Sequence, residues 1–169
     1  MNDIDAGYSI SEQVFDRREM ARIRETLARA ELVRTKAGAR HVLRVPAIRA
    51  LATHPALVNL AAMFVGTPAI PFRATLFDKS AVSNWLVAWH QDTALPLHHR
   101  VDDSSWGPWS VKGGVLHAIA PAAALAMVVA LRVHLDDSTL TNGPLRVLPG
   151  THAGGVLTRE AIQRFAGIV

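Results

Sequence analysis

The sequence predicts a mainly β protein with helices in its N-terminal part, folded as a β-sandwich or jelly roll with the helices packed outside. Three observations indicate this class. Helical patterns occupy roughly residues 17–65, and short runs of aromatic and branched residues follow Pro68. The pair Asn142-Gly143, a strong hairpin signal, lies near the end. Helices followed by strands and hairpin turns are typical of such folds.

Composition narrows the function classes. A length of 169 residues favours one domain, and 50% hydrophobic with 19% charged residues supports a real core. The net charge is +4, but Lys and Arg never run longer than two, so no nucleic-acid footprint is indicated. The absence of Cys excludes disulfides, thiolate metal sites and Cys nucleophiles. Residues 1–12 are polar and acidic, unlike a secretory signal, so we expect a cytoplasmic protein.

The helices are predicted from their end signals. We expect helices over residues 17–30, 46–52 and 55–65, and a last one over residues 161–165. Asp16 followed by Glu19 is a capping box, and the second and third helices each have Pro in the first turn. Gly66 is expected to end the third helix, and His54 to act as a cap or surface residue.

The strands are predicted from branched and aromatic runs and from alternation. The expected strands cover residues 41–45, 70–77, 85–89, 111–119, 123–135 and 145–148, with loops at 36–40 and 95–109. The loop 95–109 carries two Trp and is the expected lid or specificity loop. In the longest strand, Met127, Val129, Leu131, Val133 and Leu135 should be buried on one face. We expect it to pair with residues 145–148 through a turn at Asn142-Gly143.

Residues 113–131 also admit a different interpretation. These residues carry no formal charge, and a helix of 19 residues is long enough to span a bilayer. The period of two from Leu125 to Leu135 favours a strand instead. We therefore expect no membrane span.

The sharpest local chemical feature is Trp89-His90-Gln91-Asp92. Residues two apart on a strand share a side, so His90 and Asp92 would present an imidazole and a carboxylate together. These are two of the three ligands in the facial triad of non-haem iron(II) oxygenases. A His beside an Asp is also commonly just a hydrogen-bonded pair, so the motif alone leaves both interpretations open.

A second segment adds to this motif. Residues 131–137 read L-R-V-H-L-D-D, and residues 141–152 read T-N-G-P-L-R-V-L-P-G-T-H. Together with W-H-Q-D, this order resembles the phytanoyl-CoA dioxygenase family, in which an L-D-D, N-G-P-L and P-G-[ST]-H block follows W-H-x-D. Bacterial members are also similar at F-D-K (77–79), N-W (84–85) and W-S-V-K-G-G (109–114). The resemblance covers roughly residues 72–155.

The resemblance implies a fold and a set of site residues. It implies a double-stranded β-helix, the cupin-like jelly roll, with iron(II) held by His90 and Asp92 and 2-oxoglutarate as cosubstrate. Lys79 matches a basic position facing the 2-oxoglutarate carboxylate. The resemblance also implies contacts with the cosubstrate for Asn84 and Gln91 and, less directly, for Thr139. His152 is implied as a turn or supporting residue, and His134 could line the site or pair inside the barrel.

The chain also departs from the family pattern. The family places a second His ligand, and an Arg for the distal carboxylate of 2-oxoglutarate, several tens of residues beyond P-G-[ST]-H. Here Val169 lies 17 residues after His152, and no His follows. We therefore expect a domain that lacks its final strands and turns over 2-oxoglutarate poorly. His134, His152 or a second chain could supply the missing ligand.

These inferences leave two functions open. The first is an iron(II)- and 2-oxoglutarate-dependent dioxygenase, a hydroxylase of unknown small-molecule substrate. The second is a catalytically impaired fragment or a non-catalytic binding protein on the same fold. In both, we expect one domain over residues 1–169, with a helical part (1–68), a jelly-roll core (69–152) and a tail (153–169). Exposed strand edges would allow a homodimer.

Overall fold

The computed structural model describes residues 4–35, 38–78 and 87–167 of the chain. Its helices are α1 (Arg17–Arg29), α2 (Pro46–Ala52), α3 (Pro55–Val65), α4 (Ala122–Leu125) and α5 (Arg159–Ala166). Its strands are β1 (Ala39–Arg40), β2 (Thr75–Leu76), β3 (Ala94–Leu97), β4 (Trp109–Lys112) and β5 (Val115–Ile119). The described residues fall into two compact units, one within residues 11–78 and 129–146 and the other within residues 4–10, 87–128 and 147–167.

Helix α1 forms where the capping box predicts it. The Asp16 carboxylate accepts from the Glu19 amide at 2.8 Å, and the Glu19 carboxylate accepts from the Asp16 amide at 2.8 Å. Both bonds satisfy amides that have no partner within the helix. The helix then buries Leu27 and leaves a charged outer face, where Arg29 pairs with Glu25 at 2.6 Å.

Helices α2 and α3 also match the predicted bounds. Each has Pro in its first turn, where the missing amide proton costs nothing. His54 precedes α3, and its Nδ1 accepts from the Ala56 amide at 3.3 Å, which confirms the predicted cap. Gly66 ends α3 with a φ of 70°. The final helix α5 is confirmed as well, and the Thr158 hydroxyl caps it by accepting from Ala161.

The core of the first unit lies beside α1. It consists of Leu27, Ala39, Val42 and Ile48, with half-buried apolar side chains packed around it. Strand β1 pairs antiparallel with β2, Ala39 opposite Leu76. The predicted strand at residues 41–45 is wrong. His41 adopts a φ of 54°, which interrupts the extended backbone, and Val42–Arg44 form a 3-10 turn.

The second unit contains a three-stranded antiparallel sheet in the order β3-β5-β4. Residues 111–119 do not form the single predicted strand, because a two-residue turn at Gly113-Gly114 folds β4 back onto β5. Both glycines have positive φ, 59° and 78°, as hairpin turns matching the strand twist require. The start of the predicted loop 95–109 also differs, since Ala94–Leu97 pairs with β5.

The predicted long strand at residues 123–135 is wrong. Pro121 precedes three alanines, the best helix formers, and Ala122–Leu125 turn into a short helix. Residues 126–148, all of which are described, form no strand. Met127 and Leu131 expose 56% and 37% of their surface, so the predicted buried face does not exist. The alternating apolar residues of this segment therefore do not form a strand.

The predicted hairpin at Asn142-Gly143 is also absent. Leu140–Asn142 form a 3-10 turn, and Gly143 follows with a φ of 68°. The Asn142 side chain accepts from the Thr139 amide at 2.8 Å and donates to the Asp137 carbonyl at 2.7 Å. The amide thus stabilises its own loop instead of a turn between paired strands.

The fold class is therefore mixed. N-terminal helices and small antiparallel sheets are present, but the strands of the described residues do not close a jelly roll. Within the same residues, no single helix has the length and apolar composition needed to cross a membrane.

Candidate metal centre

The side chains of His90 and Asp92 converge, although they lie in irregular chain and not on a strand. The Nε2 atom of His90 lies 4.0 Å from Oδ1 of Asp92. The two side chains expose 56% and 72% of their surface, so both ligand groups are open to solvent. The sequence correctly predicted that the pair shares one side, but placed it on the wrong kind of backbone.

A backbone carbonyl orients the imidazole. Nδ1 of His90 lies 2.7 Å from the carbonyl oxygen of Ala88. Because a carbonyl only accepts, Nδ1 must carry the proton and donate it. When the ring is neutral, this arrangement leaves the lone pair on Nε2, the atom that faces Asp92. Metal-binding histidines are commonly oriented in this way by a hydrogen bond from the second ring nitrogen.

The donor chemistry fits iron(II). Imidazole nitrogen and carboxylate oxygen are ligands of non-haem iron, at bond lengths of about 2.0–2.2 Å for metals of this size. A separation of 4.0 Å is just under two such bonds, so one ion can reach both atoms only at a wide angle, and the pair must close further to act as adjacent ligands of a facial triad. No group of three or more His, Cys, Asp or Glu side chains is placed to hold one metal ion among residues 4–35, 38–78 and 87–167. The described part therefore brings together two candidate ligands.

Gln91 turns away from the metal pair. Its Nε2 donates to the Gly155 carbonyl at 3.0 Å, and its Oε1 accepts from the Leu157 amide at 2.8 Å. The sequence suggested contact with the cosubstrate for this amide. The structure instead places both of its polar atoms on the backbone that follows the P-G-T-H block.

The other predicted cosubstrate residues are placed as follows. Thr139 opens the 3-10 turn at Leu140–Asn142, and its hydroxyl lies 2.9 Å from that of Thr141. Lys79 and Asn84 lie outside the described residues.

Two further histidines occupy different settings. The His152 ring packs against the backbone of Gly7, and the Gly150 amide donates to the Ala6 carbonyl at 2.9 Å, so the P-G-T-H turn holds the N-terminal segment. His134 belongs to the other unit. There it lines an open groove of about 370 Å³, beside Arg24 and Asp136.

The loop that follows β3 has internal structure of its own. The hydroxyl and the backbone amide of Ser105 both donate to the Asp103 carboxylate. These bonds lower the pKa of that carboxyl, and the hydroxyl has the larger effect. The guanidinium of Arg100 stacks over the Trp109 ring, 5.4 Å from its centre.

Sequence reasoning missed the backbone groups that support the site: the Ala88 carbonyl and the Gly155 and Leu157 groups that hold Gln91. A backbone group leaves no residue-type signal. The contact with Ala88 could have been predicted from the sequence, because the side chain of a His in extended chain can reach the carbonyl group two residues before it.

An imidazole and a carboxylate two residues apart are donors of the kind used by metal-dependent oxygenases. The model of the phytanoyl-CoA dioxygenase (PhyH) family matches residues 5–166, and the chain belongs to this family. The family uses iron(II) and 2-oxoglutarate. The predicted resemblance is thereby confirmed.

One curated relative is L-proline trans-4-hydroxylase from Streptomyces griseoviridis, 31% identical over 107 residues. That alignment covers 63% of this chain and 32% of the relative, so the chain spans about a third of the relative's length. No solved structure gives a significant match.

Proposed function

We propose that this chain carries the iron site of an iron(II)- and 2-oxoglutarate-dependent dioxygenase that hydroxylates a small molecule. The observation that carries the proposal is the convergence of His90 Nε2 and Asp92 Oδ1 at 4.0 Å, with the imidazole tautomer set by Ala88. Family membership supports the same chemistry. The name of the proline hydroxylase relative makes free amino acids the first substrate class to test.

Each residue has a distinct role in this proposal. Iron(II), 2-oxoglutarate and dioxygen, when bound, would supply hydroxylation of a C–H bond, with one oxygen atom going to the substrate and the other to the succinate formed as the 2-oxo acid loses CO2. His90 presents Nε2 in a direction that the Ala88 carbonyl holds. Asp92 adds a negative charge that offsets part of the charge on the cation. Lys79 and Asn84, together with Thr139, are proposed to bind the cosubstrate.

A second candidate is a catalytically impaired or non-catalytic binding protein on the same fold. It is favoured by the absence of a third His or carboxylate beside the pair within the described ranges. Two protein ligands hold iron(II) less firmly than three. The homodimer through exposed strand edges, which could supply a further ligand, stays a prediction.

The test is anaerobic calorimetry of iron(II) binding to the chain, its His90→Ala variant and its Asp92→Asn variant. Both substitutions should weaken binding at least about tenfold, because each removes a direct ligand. His98→Ala is the matched control, since His98 is an exposed histidine on the loop after β3, and it should bind like wild type. Equal affinity for wild type and His90→Ala would overturn the proposal.

Succinate release separates the two candidates. Iron(II), ascorbate, 2-oxoglutarate and a panel of amino acids are added, in air-saturated buffer, to wild type and to His90→Ala. Succinate that depends on His90 supports the dioxygenase. Iron binding that depends on His90 without succinate supports the impaired protein.

A further inference from the structure

Gln91 joins two parts of the chain that lie more than sixty residues apart. Its side-chain amide donates to the Gly155 carbonyl at 3.0 Å and accepts from the Leu157 amide at 2.8 Å. The two backbone groups are two residues apart and point toward the same partner, as they would toward a neighbouring strand. We call residues 155–157 the docking segment.

Gln91 is the inward-facing member of the metal tripeptide. His90 and Asp92 expose 56% and 72% of their side chains, whereas Gln91 is half-buried against the docking segment. Two hydrogen bonds fix the orientation of the amide plane, where a single bond would allow rotation. A backbone rotation at Gln91 would carry both neighbouring ligands with it. The docking segment therefore restrains the direction of the metal pair.

We propose that Gln91 is a positioning residue that couples metal binding at His90 and Asp92 to the docking of residues 155–157. This inference rests on the proposed function, since it needs the metal pair. Coupling between two equilibria is reciprocal. If docking favours the metal-binding arrangement, metal binding must favour docking to the same extent. Iron(II) alone should then protect the Leu157 amide, whose proton is held by Gln91.

The experiment is hydrogen–deuterium exchange by mass spectrometry on the full chain, with and without saturating iron(II) under anaerobic conditions. Peptides that contain Leu157 should exchange at least about fivefold more slowly with iron(II). Gln91→Met keeps the length of the side chain and removes both hydrogen bonds. It should abolish this protection and weaken iron(II) binding about tenfold, as loss of a supporting residue commonly does.

Two further variants sharpen the result. Gln91→Glu keeps the acceptor for the Leu157 amide and loses the donor to Gly155, so its iron(II) affinity should lie between those of wild type and Gln91→Met. Thr158→Ala is the matched control: it removes the α5 cap directly beside the docking segment but touches neither Gln91 bond. It should bind iron(II) like wild type.

The outcomes distinguish this inference from the proposed function. Binding that depends on His90, with equal affinity and equal protection in wild type and Gln91→Met, overturns the coupling and leaves the metal site standing. Iron(II) binding that does not depend on His90 overturns both. If Gln91→Met does not fold, the wild-type exchange decides alone, and unchanged exchange at Leu157 on adding iron(II) refutes the coupling.

Discussion

At residue 38 the chain has room for little more than a hydrogen atom. Gly38 is buried, has a φ of 105°, and exchanges two backbone hydrogen bonds with Thr35, at 2.8 and 3.0 Å. A Cβ there would overlap the Leu76 carbonyl oxygen and lie 3.1 Å from the Asp78 amide nitrogen. Both obstacles are backbone atoms of the segment that contains β2. Glycine at this position therefore sets how closely β1 approaches β2.

We expect Gly38→Ala to lower the free energy of unfolding by about 3 kcal/mol or more, since backbone strain and overpacking add. Gly66→Ala is the control, because Gly66 also has a positive φ but a Cβ there meets nothing within 4 Å. It should cost about 1 kcal/mol from backbone strain alone. Urea denaturation of both variants measures the difference, and equal losses would show that the contact with Leu76 is unimportant.

At the scale of the element, the helices depend on side chains at their first turns. Asp16 with Glu19 begins α1, His54 begins α3 and Thr158 begins α5. Each side chain accepts from an amide that the helix itself leaves without a partner. The helices are short, so these caps are a large part of their local stability.

Replacing the cap of α1 tests this. Asp16→Ala removes both the acceptor for the Glu19 amide and the charge near the helix N-terminus, and should cost about 1 kcal/mol in the free energy of unfolding. Asp16→Asn retains the acceptor and should stay close to wild type. Chemical denaturation followed by circular dichroism compares the two, and similar losses for both would assign the effect to charge.

The first turn of α5 should respond to pH. Hydrogen bonds from the backbone amide of Glu160 and from the Thr158 hydroxyl lower the pKa of the Glu160 carboxyl, and the amide has the larger effect. A lowered folded pKa means that the stabilisation is complete above the unfolded pKa of about 4.3 and is lost as pH falls through the folded value. Wild type should melt above Glu160→Gln at pH 7, and the difference should shrink as pH falls below the unfolded pKa. A difference that stays constant as the pH is lowered would contradict this assignment.

At the scale of the whole molecule, the buried core is small. Within the described residues, the buried hydrophobic side chains are Leu27, Ala39, Val42, Ile48, Leu57, Ala118 and Ala120. Three of them are alanines, which bury little area. Stability is a small difference between large opposing contributions, so each large buried side chain matters more in such a core.

Leu27 is the buried side chain of α1 in the core. We expect Leu27→Ala to cost about 2–4 kcal/mol through lost burial and the cavity left behind. Leu140→Ala is the matched control, because Leu140 exposes 92% of its surface. It should change stability by less than about 0.5 kcal/mol. Thermal melts of both variants give the comparison, and a small effect at Leu27 would show that the core relaxes around the gap.

Sequence reasoning succeeded where the determinants are local. Caps, first-turn prolines and a terminal glycine act within a few residues, and they gave α1, α2 and α3 their bounds. It failed over residues 123–148, because period-two alternation cannot show whether a partner strand exists, and alanines after Pro121 favoured a helical turn. It also took Asn142-Gly143 for the hairpin, although Gly113-Gly114 is an equally good turn signal.

The same distinction between local and long-range determinants applies to the candidate site. His90 and Asp92 are two residues apart, and their convergence was predicted from this spacing, although the strand from which it was argued is absent there. The partners of Gln91 are backbone groups in a distant segment, and residue types do not encode such a contact. The closed jelly roll implied by family resemblance likewise depends on long-range pairing, which sequence patterns specify poorly.

The turn at Gly113-Gly114 also sets an order of events during folding. A hairpin closed by two residues forms in about 1–10 μs. Strand β3 must instead find β5 across the long loop between Leu97 and Leu116, at a greater entropic cost of closure. We therefore expect the β4-β5 hairpin to form first and β3 to pair with β5 later. Since β3 begins two residues after Asp92, we expect the chain beside the metal pair to be fixed only after the β4-β5 hairpin has formed.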